Sequence, residues 1–174
     1  GTLYYIMPFV DGGSLRDRIR RDPHFAADDV VRIVQEVADA LGYAHQHHVV
    51  HRDIKPENIL FSADHAVVAD FGIARAIEAG DGQSLTMVGF GMGTPEYMSP
   101  EQAFGDPDID GRSDTYSLAC VAFELFAGKP PFTGENATNV IMRKTAMEAP
   151  TLATQSPAHI PASVAPGRAQ SRLA

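Results

Sequence analysis

Apolar positions along the 174-residue chain change their spacing several times, and each change marks an element. Thr2 to Val10 is apolar and β-favouring and runs into Asp11-Gly12-Gly13, a turn signal, so the chain is expected to open in a strand. Ser14 is a natural N-cap for a short helix, Leu15 to Arg21, which Pro23 closes. From about Asp28 to His47, Val30, Ile33, Val34, Val37, Leu41 and Ala44 recur at helical spacing. Arg32, Gln35, Glu36 and Asp39 fall on the opposite side, as in an amphipathic helix. Two short β-type runs, Ile59 to Phe61 and Ala66 to Ala69, flank the turn-like Ser62-Ala63-Asp64-His65 and predict a small hairpin.

Residues 72–101 are rich in Gly, Ser, Thr and Pro and carry no period, which predicts a long functional or disordered loop. Tyr116 to Ala127 is apolar nearly all round and predicts a buried helix, ended by Gly128 and by Pro130-Pro131. A weaker helical pattern spans about Ala137 to Met147. Beyond Pro150 the Ala, Pro, Ser and Thr content predicts a disordered or truncated tail over 151–174. The fold class expected is α+β, mainly α.

Composition narrows the functional classes. With 14 Lys and Arg against 22 Asp and Glu, the net charge of −8 argues against a non-specific nucleic-acid or membrane-surface binder. The single Cys120 excludes an intrachain disulfide framework and makes a cytoplasmic location the default. No apolar run approaches the roughly 18 residues of a membrane span.

The chemistry concentrates in His51-Arg52-Asp53-Ile54-Lys55-Pro56-Glu57-Asn58 and, after the hairpin, Asp70-Phe71-Gly72. Phosphoryl transfer needs metal ions on hard oxygen ligands, a group that orients the attacking hydroxyl, and positive charge near the transferred group. Asp53, Asn58 and Asp70 offer the oxygens and Lys55 the charge. Antiparallel pairing of the hairpin returns Asp70 to the end where Asn58 leaves.

Together with Gly93-Thr94-Pro95-Glu96-Tyr97-Met98-Ser99-Pro100-Glu101, Asp114, and Gly128-Lys129-Pro130-Pro131-Phe132, these motifs resemble the protein Ser/Thr kinases, in the bacterial eukaryotic-type style. The resemblance runs from Tyr4 to about Met147. It implies that 1–150 is a partial kinase domain equivalent to the C-terminal lobe, with the hairpin at its catalytic loop. By that resemblance Asp53 is the base that accepts the substrate hydroxyl proton, and Lys55 neutralises the γ-phosphate. Asn58 and Asp70 hold Mg²⁺, or Mn²⁺, under ATP, while Thr94 bonds the catalytic Asp and Lys. Met7, Pro8 and Val10 correspond to the gatekeeper and adenine-reading hinge, Ser14 to a ribose contact, and Leu60 to the floor of the adenine pocket. His51, Phe71, Gly72, Glu101 and Asp114 take structural positions, Asp114 anchoring the backbone around His51 and Arg52. Arg52 and Arg75 form a phosphate clamp for a phosphorylated Thr86, or alternatively Ser84.

The implied partners are ATP and proteins bearing Ser or Thr. The glycine-rich loop, the strand lysine and its glutamate partner do not occur in the sequence. The arginine between the last two helices of the domain that the resemblance pairs with Glu101 is not found either, since Arg168 and Arg172 lie in a Pro/Ala-rich tail that does not read as those helices. The chain therefore reads as a piece of a longer kinase whose parent is membrane-anchored or soluble, and a non-enzymatic kinase-like interaction module stands as the alternative. His45, His47, His48 and His51 crowd together, but they do not give two histidines at i, i+4 on one helix face, since His51 falls beyond the predicted helix end at about His47. Gly89-Phe90-Gly91-Met92-Gly93 lacks the third glycine of a phosphate-binding turn, since Thr94 stands there.

Overall fold

The computed structural model describes residues 9–71 and 94–152. Expectations for the opening strand, for most of the long loop and for nearly all of the tail fall outside those residues.

Within them the chain is mainly helical, with one two-stranded sheet. Helix α1, Leu15–Arg21, begins at a reciprocal cap: the Ser14 hydroxyl accepts from the Asp17 N–H, and the Asp17 carboxylate accepts from the Ser14 N–H. Arg18, Arg20 and Arg21 in its last turn suit the negative end of the helix dipole. Helix α2, Ala27–Gln46, buries Val30, Ile33, Val37, Leu41 and Ala44, the stripe that the spacing predicts. That stripe packs on the hairpin strand His65–Val68 and on the central helix Gly111–Ala127.

Strands β1, Ile59–Ser62, and β2, His65–Val68, pair antiparallel, Ile59 opposite Val68 and Ser62 opposite His65. Ala63 and Asp64 both take positive φ, the backbone of a tight two-residue hairpin turn. The other edge of β1 is covered as well. Gly12 N–H donates to the Phe61 carbonyl at 3.0 Å and Phe61 N–H to the Gly13 carbonyl at 3.0 Å. Gly12 is required there, because a Cβ would stand 2.2 Å from the Phe61 oxygen.

Helix α3, Pro100–Ala103, was not apparent from periodicity; a single turn carries no period. Its start is nonetheless written locally, with Ser99 and Gln102 forming a capping box and Pro100 in the first turn. Helix α4 spans Gly111–Ala127 and so begins five residues before the apolar pattern that predicts it at Tyr116. Its first turns carry Arg112, Ser113, Asp114 and Thr115, polar residues that apolar spacing cannot register. Asp114 accordingly lies inside the helix, which Asp110 caps, rather than opening it. Gly128, at φ 75°, closes α4 in the left-handed conformation. Helix α5, Ala137–Ala146, is capped by the Asn136 side chain and lies against α3. Leu15, Val37, Ile54, Phe61, Leu118 and Val121 lie in the core, and Cys120 is buried among them. No helix among the described residues is long and apolar enough to cross a membrane.

Candidate active site

The loop between α2 and β1 is held from below by one buried carboxylate. Asp114 accepts from the N–H of His51 at 2.9 Å and of Arg52 at 2.7 Å, and lies 2.7 Å from the His45 Nε2. Arg52 has φ 69°, a conformation costly for a residue with a Cβ, and its surroundings fix it there. Its carbonyl accepts from the Gln102 amide at 2.6 Å and its guanidinium donates to the Ile109 carbonyl.

His51 ties this loop to the far side of the hairpin. Asp53 N–H donates to His51 Nδ1 at 3.2 Å, so the ring proton resides on Nε2, which donates to the Ala69 carbonyl at 2.8 Å. Phe71 packs on the same imidazole, ring centroids 4.7 Å apart and tilted by 59°. The Ala69 N–H in turn donates to the Asn58 carbonyl at 2.9 Å. Asp70, at φ 61°, is thus one residue beyond a direct backbone bond to Asn58.

Three of the sequence-predicted groups meet at one carboxylate. Lys55 Nζ donates to Asp53 Oδ2 at 2.7 Å, and Asn58 Nδ2 donates to the same oxygen at 3.0 Å and to the Asp53 carbonyl at 2.8 Å. With its amide nitrogen committed to Asp53, Asn58 keeps its side-chain oxygen for another partner. The Asp53 side chain is 43% exposed, so an incoming hydroxyl can reach it. Arg52, Asp53 and Ile54 line a small pocket together with Thr94, Tyr97, Met98 and Ser117, so Thr94 borders the same pocket as Asp53.

Of the nucleotide-pocket positions, Val10 is half-buried, and Ser14 and Leu60 stand side by side in a backbone bridge. The Ser14 hydroxyl is engaged in capping α1, donating to Asp17 Oδ2 at 2.6 Å. Met7, Pro8, Gly72, Arg75, Ser84 and Thr86 lie outside the described residues. Glu101 accepts from the Ser113 hydroxyl at 2.5 Å. Burial works against its ionised form, but that hydrogen bond, those from the Glu101 main chain and Ser99, and the charge of Arg112 together outweigh it and hold the carboxyl below its usual range. No group of three or more His, Cys, Asp or Glu side chains with metal-binding geometry occurs among the described residues.

A second cluster was not read from the sequence. Arg16 on α1 donates to Glu57 at 2.7 Å, to Glu124 at 2.8 Å and to the Tyr97 hydroxyl at 2.5 Å, and Tyr97 donates to Glu124 at 2.5 Å. Burial disfavours the Arg16 charge, yet the two carboxylates more than offset it and raise its pKa. Burial, then the bond to Glu124, pushes the Tyr97 hydroxyl up. The available signal was Glu124, a carboxylate on a buried helix, which must find a cation or hydroxyl. The periodicity of 15–21 does not tell Arg16 from Arg18, Arg20 and Arg21.

The protein kinase domain model matches residues 1–167. The chain belongs to the protein kinase domain family. Among curated kinases, it is 46% identical over 138 residues to the serine/threonine-protein kinases PknB of Mycobacterium leprae and Mycolicibacterium smegmatis, an alignment covering 79% of this chain and 22% of each relative. It is 36% identical over 155 residues to a probable serine/threonine-protein kinase PknB of Lactococcus lactis, covering 88% of this chain and 24% of that one. The chain thus spans about a fifth to a quarter of the length of these kinases.

Proposed function

We propose that the chain carries the phosphotransfer and acceptor-binding part of an ATP-dependent protein Ser/Thr kinase, residues 1–150 corresponding to the C-terminal lobe. The convergence of Lys55 and Asn58 on Asp53 Oδ2 carries this reading. Asp53 accepts the proton of the substrate hydroxyl and orients its oxygen for attack. Lys55, already beside that carboxylate, offers its remaining N–H groups to the γ-phosphate. Lysine two places after Asp53 favours Ser and Thr over Tyr as acceptor, by resemblance to the Ser/Thr kinases. Thr94, bordering the same pocket, holds the Asp53–Lys55 pair in register.

The donors fit magnesium. Asn58 has one amide oxygen uncommitted to Asp53, Asp70 adds a carboxylate, and both are the hard oxygens this ion selects. When bound, Mg²⁺ with ATP supplies charge neutralisation across the phosphates. By the family resemblance, Met7, Pro8 and Val10 correspond to the positions that read adenine, Leu60 to the floor beneath it, and Ser14 to a ribose contact. Arg52 and Arg75 receive a phosphorylated Thr86 or Ser84, which orders the loop they border.

The test is transfer of labelled γ-phosphate by the full-length gene product, followed by phosphoamino-acid analysis. Label on Ser and Thr that falls at least about a hundredfold in Asp53→Asn is expected for a positioned base. Absence of transfer by the wild type, with binding of partner proteins retained, would instead support the interaction-module reading.

A further inference from the structure

Helix α5 turns two residues inward, Val140 and Lys144, one helical turn apart. A valine on a packing face is ordinary; a lysine 7% exposed is not. Its ammonium donates to the carbonyl of Glu96 at 2.8 Å and to that of Met98 at 2.6 Å, and lies 5.1 Å from the centre of the Tyr116 ring. No carboxylate lies within ion-pair distance of it among the described residues; Glu96 acts at longer range, and Cys120 faces it from α4.

A buried cation without a counter-ion costs desolvation, and a Met or Leu would fill the same space without that cost. What an apolar side chain could not do is hold two carbonyls of the turn at 94–98. The same turn supplies Thr94, Tyr97 and Met98 to the lining of the pocket that Asp53 borders. Among the described residues, the other hydrogen bond on the main chain of 94–98 is that of the Tyr97 N–H back to the Thr94 carbonyl at 3.2 Å.

We propose that Lys144 is a positioning residue for the acceptor peptide. From behind, it sets the main-chain path of 94–98 and so the width of the groove in which a Ser or Thr substrate meets Asp53. The proposal rests on the kinase reading, and it places a determinant of substrate affinity on α5, outside every motif that carries the resemblance.

The experiment uses the full-length gene product with Lys144→Met and Lys144→Arg, assayed on one threonine-bearing acceptor peptide and on ATP. Lys144→Met is expected to raise KM for the peptide at least tenfold while KM for ATP stays within twofold, and Lys144→Arg to recover most of the loss. Unchanged peptide KM, or equal changes in both KM values, would overturn it. Amide hydrogen exchange on the same variants gives a reading independent of turnover. Lys144→Met should accelerate exchange at Tyr97 and leave Phe61 and Ala69 in the hairpin unaffected; no acceleration, or acceleration throughout, counts against the proposal. If the wild type transfers no phosphate at all, the kinase reading fails, and the exchange pattern alone decides whether Lys144 holds the segment.

Discussion

Removing Arg16 tests how the two halves of the site are joined. Its guanidinium is the only cation hydrogen-bonded to Glu124 among the described residues, and Glu124 is 5% exposed. Arg16→Met keeps the stem's volume and leaves that carboxylate with the Tyr97 hydroxyl alone. Breaking a buried pair from one side costs about 3–5 kcal/mol. Tyr97 still satisfies one oxygen and the Arg16 side chain is 15% exposed, so the low end, about 3 kcal/mol, is expected. The bond to Glu57, a residue 39% exposed, adds about 0.5 kcal/mol at most. Glu124→Leu should cost a similar amount, because it strands the Tyr97 hydroxyl and half of the guanidinium. The double variant, with neither charge left, should cost at least about 2 kcal/mol less than the sum of the singles. Urea denaturation followed by circular dichroism on all four proteins closes the cycle. A coupling below about 0.5 kcal/mol would refute the claim that this network joins α1 to α4 and Tyr97.

Other consequences follow from single contacts. Asp114→Asn replaces one of two accepting oxygens by a donor facing an N–H, so the loop carrying His51 and Arg52 should lose about 3 kcal/mol, seen in urea melts; a loss under 1 kcal/mol would contradict the anchoring role. Gly12→Ala should cost at least 2 kcal/mol by the same assay, since the methyl would stand 2.2 Å from a carbonyl oxygen that backbone pairing prevents from moving; a neutral effect would mean that the 12–14 edge is not docked on β1. Burial pushes the Lys144 ammonium down from 10.5 to about 8, against the weaker pull of Cys120 and Glu96. The unfolded chain then binds more protons than the folded one above pH 8, and stability relative to Lys144→Met should rise with pH there. The gain between pH 7.5 and 9 should be about 1 kcal/mol; the Cys120 thiol, which burial raises to about 11, is common to both proteins and largely cancels from the difference. A flat or falling difference below pH 9 would contradict this.

What could be read from the chain and what could not divide along physical lines. The stripe on α2 and the hairpin were legible because each buries one face and repeats its period. The candidacy of Asp53, Lys55 and Asn58 was legible because they lie within six residues of sequence and are chemically unusual together, whereas the donation of Asn58 to Asp53 was not read. The first turn and a half of α4 was not, since Ser113 and Asp114 are buried by hydrogen bonding rather than by hydrophobicity. Arg16 and Lys144 escaped for a related reason. Each is a cation whose partners lie more than forty residues away, and only the packing of α1 and α5 selects it from its neighbours.

The account depends on Asn58 and Asp70 sharing a cation at the foot of the hairpin. Crystals grown with Mn²⁺ and a non-hydrolysable ATP analogue, measured at the manganese absorption edge, test that directly. An anomalous peak within coordination distance of the Asn58 side-chain oxygen and the Asp70 carboxylate, lost in Asp70→Asn, is the predicted result. Nucleotide bound with manganese elsewhere, or with neither side chain turned toward it, would contradict the account.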